Sequence, residues 1–367
     1  MFKNYLLFTL FASMFSISSI FAMGNKSQDK DFDAYKETFF KEYWALNPGY
    51  AASVGLTDYA GILIVPSSSR IKSETKAYQK MLKKVLKFKP ERLSASNRTD
   101  RSLLENQLKS AIWYSTQFKS FEWDPSSYNT AGMFDLLLTN EDIEPTKRLR
   151  LAYNILKDVP AYYSAAQNNI KTPTKEHTEL AVPQLKGATS TLKALSDFRK
   201  KHNNGDLSTE EQAEFDKRLD KATDAVDKYS KWLSKKLESK KTEWRSFRIG
   251  KPLFDSKFTY DIQSGYSASE IYLKALNEKQ ELHRKMAGIT TQLWKKYFPD
   301  IAQPTEDLKA IKMMIDRLSM RHVSRDSLII AIRQQLPTLV NFIKDKILLA
   351  RISSNGKSVY FQKIILE

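Results

Sequence analysis

Four histidines, His177, His202, His283 and His322, and no cysteine are what this sequence offers to a metal or a nucleophilic mechanism. A hydrolytic zinc helix needs two imidazoles one turn apart, so that both reach one ion, with a glutamate beside the first to take a proton from its water. Here the closest pair, His177 and His202, is 25 residues apart, and no histidine is followed directly by Glu. The absence of cysteine removes thiolate zinc sites, iron–sulfur clusters, a disulfide framework and a cysteine nucleophile. Ser-x-x-Lys begins at Ser27, Ser69, Ser73, Ser190 and Ser354, yet random placement of 36 serines and 43 lysines predicts about four such pairs. The motif therefore carries no information. There is no glycine-rich phosphate loop and no G-x-S-x-G elbow. The sequence thus assigns no catalytic, cofactor-binding or metal-binding residue to this chain.

The elements around these residues read as helices. Only 11 Gly and 12 Pro interrupt 367 residues, and 41% of residues are hydrophobic. That balance suits long uninterrupted helices and excludes collagen-like or wholly disordered chains. Phe32, Tyr35, Phe39, Tyr43 and Leu46 recur at helical spacing, which predicts a helix over 31–46 stopped by Asn47-Pro48-Gly49. Further helices are expected over 70–89, 99–121, 145–156 with a kink or restart at Pro160, and 174–201 with a bend at Pro183. Asn203-Asn204-Gly205 reads as a turn. Ser208 with Glu211 forms a capping box opening the longest helix, to about Trp244. Its Phe215, Leu219, Ala222, Val226, Tyr229 and Leu233 alternate steps of four and three, a seam for another long helix. Ser267 with Glu270 opens a helix to about Lys296, followed by 305–320 and 324–348. The expected fold class is all-α, with long antiparallel helices and very little strand.

The two ends differ from the middle. Lys3, an apolar run from Tyr5 to Phe21 and the small Ala22 have the form of a secretory signal peptide, 1–22. The run is marginal in length for spanning a bilayer, and without cysteine it cannot be lipidated as a lipoprotein. Residues 23–30 read as a flexible arm. The expected location is periplasmic or secreted, with no integral membrane helix once the signal is cleaved near Ala22. The net charge is +17, and the stretch 70–121 alone carries 13 basic and 4 acidic residues. A basic stripe can meet nucleic acid or another anionic surface. No nucleic-acid motif accompanies it, so a nucleic-acid partner is not expected; a peptide, protein or anionic surface is.

Several segments resemble, in order, the bacterial family called domain of unknown function 885. They are Tyr43-Trp44-Ala45-Leu46-Asn47-Pro48 with Ala51 to Leu56; Arg148 to Pro160 with Ala165 to Ile170; and Thr178 to Ala181 with Gln184 and Gly187. The strongest is Phe247-Arg248-Ile249-Gly250-Lys251-Pro252-Leu253-Phe254 through Phe258, followed by Ser267 to Met286. The resemblance covers roughly 32–346, giving a helical domain over 31–346 and a non-matching tail over 347–367. It implies a large helical protein related to zinc-dependent peptidases: a two-part bowl around a groove, with a His-Glu-x-x-x-His-like zinc helix in the C-terminal half. That half would follow the last residue here, so no ligand or general base is carried over, and zinc is expected only in full-length relatives. The expectation is an inactive N-terminal part, left by a frameshift or early stop. A zinc-helix sequence in another frame of the downstream DNA would support it, and its absence would sink it. The alternative reading is a non-enzymatic envelope protein that binds a peptide, a protein or an anionic surface.

Overall fold

Scarce breakers predict helices, and the computed structural model, which describes residues 27–202 and 207–345, is built from them. Twelve α-helices are present among the described residues, and the sole β element there is an isolated bridge between Thr174 and Arg245. The fold is all-α. The signal segment, residues 23–26 of the arm, the Asn203-Asn204-Gly205 turn and the 347–367 tail lie outside the described residues, while Asp29 and Lys30 of the arm already belong to the first helix. The chain divides into two compact units, Met1–Ser267 and Ala268–Glu367.

In the first unit, α1 (Asp29–Leu46), α2 (Pro48–Ser53), α3 (Ser68–Val85) and α4 (Ala95–Trp113) come first. Phe32, Phe39 and Tyr43 of α1 meet Tyr78, Met81 and Val85 of α3 and Leu104 and Leu108 of α4 in one buried cluster. The N-terminus of α1 is tied down by Asp29, whose carboxylate accepts from the Ser94 amide at 2.9 Å and the Asn97 side chain at 2.8 Å. Those bonds hold its pKa at about 2. The helix stops at Leu46 as expected, and the same segment opens the next: Pro48 is the first residue of α2, where a missing N–H costs nothing. The helix expected over 99–121 begins earlier, because Ser94 caps it by accepting from the Asn97 amide. It gives way at Tyr114–Phe118 to a wider π-turn, where the Lys119 amide bonds the Tyr114 carbonyl and Lys119 takes a left-handed φ of 49°.

The larger cluster is built by α5 (Ala131–Thr139), α6 (Pro145–Asn169), α7 (Lys175–Lys201) and α8 (Thr209–Glu238). All six seam positions of α8, from Phe215 to Leu233, are buried. Opposite them lie Ala181, Leu185, Ala188, Leu192 and Leu195 of α7, where three-four spacing and small alanines let the axes approach. Arg199 near the end of α7 bonds Gln212 and Asp216 near the start of α8, and Thr189 bonds Asp227, so the pair is antiparallel. Arg150 to Glu211 and Arg218 to the Tyr153 carbonyl set α6 parallel to α8. The Ser208–Glu211 capping box forms with both of its bonds.

Pro160 neither ends nor restarts its helix. α6 continues to Asn169 because Val159, Tyr163, Ala165 and Ala166 extend the buried stripe begun by Leu149, Ala152 and Ile155. An interior proline costs about 3 kcal/mol, whereas each large apolar side chain buried contributes about 1.5–3 kcal/mol. Burial wins. α8 ends at Glu238, six residues before the expected Trp244, where the Ser239 amide and the Thr242 hydroxyl take the Lys235 and Lys236 carbonyls. A last helix of this unit, α9 (Lys251–Ile262), has no buried residue. Tyr260 nevertheless rests on Trp113, and Asn106 donates to the Tyr260 carbonyl.

The second unit holds α10 (Ala268–Tyr297), α11 (Asp307–Ser319) and α12 (Leu328–Asp345). Trp294 packs with Ala310 and Met314, and its indole N–H donates to the Ile301 carbonyl at 2.7 Å. This small core closes only the C-terminal end of α10.

Candidate functional site

The histidines are not brought together. His202 lies against the Phe198 ring at the end of α7, His283 is half-buried on α10, and His322 bonds the Ser319 carbonyl after α11. Among the described residues, no group of three or more His, Asp and Glu could hold a metal ion. His177 comes nearest to a constellation. Its Nδ1 lies 2.6 Å from the Thr174 hydroxyl and its Nε2 3.9 Å from the Asp124 carboxylate, between the rings of Trp123 and Phe247. Hydroxyl, imidazole and carboxylate in series suggest a nucleophile. Two facts exclude that. Thr174 is 0% exposed, and 3.9 Å is too long for the orienting hydrogen bond. Thr174 instead caps α7, and Asp124 spends its other oxygen on the amide and hydroxyl of Ser126. The cluster holds a helix start in place.

Buried phenols add no base either. Burial is the first cause that pushes Tyr78 and Tyr128 up to about 12, and it raises Tyr163 and Tyr229 as well. These groups stay protonated and serve as hydrogen-bond partners. Tyr163 pairs with Thr130, Tyr128 donates to the Phe121 carbonyl, and Tyr229 donates to that of Pro125.

Concave places among the described residues of the first unit include the following two. One, of about 380 Å³, is bounded by Trp232, Lys171, Lys235, Lys236 and Lys241. It lies at the C-terminal end of α8, where lysines complement the negative end of the helix. Lys236 lies 4.7 Å from the Trp232 ring centre, and Lys171 is paired with Glu122. The other, of about 290 Å³, runs between α6 and α8 past Tyr163, Gln167, Lys221 and Lys228.

The feature that packing leaves unexplained is in the second unit. α12 has no buried residue among its described side chains. Its Leu328, Ile332, Leu336 and Leu339 step by four, four and three along one face and are 46–55% exposed. α10 buries only Thr290 and Trp294, while Leu282 and Ile289 are exposed. Soluble monomers rarely show contiguous apolar stripes of this kind without a partner. The helix itself was legible in the sequence; the exposure of this face among the described residues was not.

A family model described as bacterial protein of unknown function (DUF885) matches residues 48–353. A solved structure from Shewanella oneidensis, of a protein of unknown function proposed to be a lipoprotein, is 37% identical and superposes with a TM-score of 0.77. That match covers 86% of this chain and 57% of the other, so the chain spans little more than half the length of that structure. No curated protein matches.

Proposed function

The chain belongs to the DUF885 family of bacterial proteins of unknown function, and from that membership we propose that it supplies the helical walls of a peptide-binding groove in an exported, zinc-peptidase-like protein. The hydrolytic chemistry belongs to the part of such proteins that lies beyond the stretch shared with this chain. The observation that carries this reading is the uncovered aliphatic face of α12, built for a partner of its own kind. The similar Shewanella structure supports it, because the match covers only 57% of that chain. Its description as a proposed lipoprotein also supports a place in the envelope. The face of α12 then receives helices equivalent to some in the unmatched part of that chain, and the groove lies along the joined walls. No helix of the described residues is long and apolar enough to cross a membrane.

The test uses the purified full chain, alone and mixed with the remainder of the Shewanella protein. Alone, with zinc added, it hydrolyses no peptide from a mixed library; mixed, it forms a one-to-one complex by light scattering. Chelator-sensitive hydrolysis by the chain alone, or one tightly held zinc ion per chain, overturns the reading. So does failure to associate under conditions where α12 remains exposed.

A further inference from the structure

A row of unneutralised charge lies along α3. Lys72, Lys76, Lys80 and Lys83 recur at steps of four, four and three, and Lys87 continues the row just past the helix end. All five are exposed. At about 100° per residue they fall within an arc of about 80° and extend about 17 Å along the helix axis from Lys72 to Lys83. The buried side of α3, with Tyr78, Met81 and Val85, is diametrically opposite. The single acidic residue of α3, Glu74, is held by Arg70 at 2.6 Å on the partly buried flank. Lys84 leaves the row and pairs with Glu42 of α1. None of the five makes an ion pair among the described residues, and neither pocket is lined by any of them. The row is therefore an exposed strip of charge on the helix surface.

A second observation gives the strip a direction. The chain enters the fold at Gln28, whose amide donates to the Arg92 carbonyl and whose side chain accepts from the Lys89 amide. Asp29 is bonded to Ser94 in the same place. The entry point is thus pinned to residues 89–94, immediately beyond the Lys87 end of the strip. Seven residues upstream of Gln28 lies Phe21, the last residue of the apolar run that begins at Tyr5. Seven residues span at most about 25 Å. The lysine row thus ends beside the start of the described chain, seven residues or fewer from a run whose sequence has the form of a signal segment.

We propose that the α3 lysine row, Lys72, Lys76, Lys80, Lys83 and Lys87, docks this protein on an anionic lipid bilayer surface. The chemistry is long-range attraction of ammonium groups to lipid phosphates, strongest within a Debye length and weakened by salt. It acts with the apolar run as a tether, and it acts reversibly once that run has been removed.

The experiment measures binding of the full chain to vesicles of phosphatidylcholine and to vesicles also containing a minority of phosphatidylglycerol. At low salt the chain prefers the anionic vesicles, and about 0.5 M salt removes the preference. Changing all five lysines to Gln lowers that preference at least about tenfold, since each lysine near a charged membrane contributes about fivefold. Binding to neutral vesicles through the apolar run stays unchanged, and the circular dichroism spectrum and melting temperature confirm the fold. Changing the five to Arg preserves the preference. A charge-matched control with Lys231, Lys235, Lys240, Lys241 and Lys279 changed to Gln also preserves it. Equal losses in the control and the α3 variant would mean net charge alone matters, which overturns the proposal. Tight binding of soluble polyphosphate with no preference for anionic vesicles overturns it too.

Discussion

Glu211 performs two tasks at one carboxylate. It accepts from the Ser208 amide within the capping box, and it receives the Arg150 guanidinium from α6. The Arg150 bond is the first cause, and the Ser208 amide the second, that hold its pKa down from 4.5 to about 2. A carboxylate depressed on folding adds stability that is fully present above the unfolded pKa and is lost as pH falls through the folded one. The window for Glu211 therefore runs from about pH 4.5 down to about 2. Urea titrations of the natural chain and of Glu211→Gln are expected to differ most above pH 5 and to converge toward pH 2; a gap that stays constant would show that the ionised carboxylate is not what matters. Gly250 makes a different residue-scale case. It opens α9 at φ 80°, a region that side chains with a Cβ avoid. Gly250→Ala is expected to cost about 1–3 kcal/mol in denaturant unfolding, although nothing crowds the added methyl closely.

At the scale of elements, periodicity carried far and context set its limits. The seam of α8 could be read residue for residue, because steps of four and three admit only one buried face and Ser208 fixed where it starts. Pro160 misled, since its local cost is visible in sequence while the burial of Tyr163 and Ala166 against distant helices is not. α5 and α9 escaped notice for related reasons. α5 is short and apolar almost all round, and α9 buries no residue at all. The candidate site was half legible: the α12 stripe shows its period, but only the structure reveals that it stays exposed among the described residues. This contrast yields a paired prediction. Leu233→Ala in the seam, 0% exposed, is expected to destabilise by about 2–5 kcal/mol. Leu336→Ala on α12, 48% exposed, is expected to stay within about 0.5 kcal/mol. Thermal melts of both variants decide it. A large loss from Leu336→Ala would mean that α12 is already packed in the chain by itself.

For the whole molecule, the question is what an uncovered aliphatic helix does in water. Burying each of Leu328, Ile332, Leu336 and Leu339 would contribute about 1.5–3 kcal/mol at full burial, and less here because each is already about half covered. Four such residues on one face offer a second copy of this chain an apolar surface to cover, so self-association at high concentration is the expected outcome. The net charge of +17 opposes that association but does not sit on this stripe. Added salt screens the repulsion and leaves the apolar drive intact. Self-association is therefore expected to grow with salt, opposite in sign to the lipid attraction of α3, and the two surfaces can be told apart in one titration. Ile332→Glu with Leu336→Glu should restore a monomer by light scattering at every salt concentration while leaving the melting temperature of the chain unchanged. If the double variant still associates, the adhesive surface lies elsewhere, and α12 loses its standing as the face on which a longer relative completes its fold.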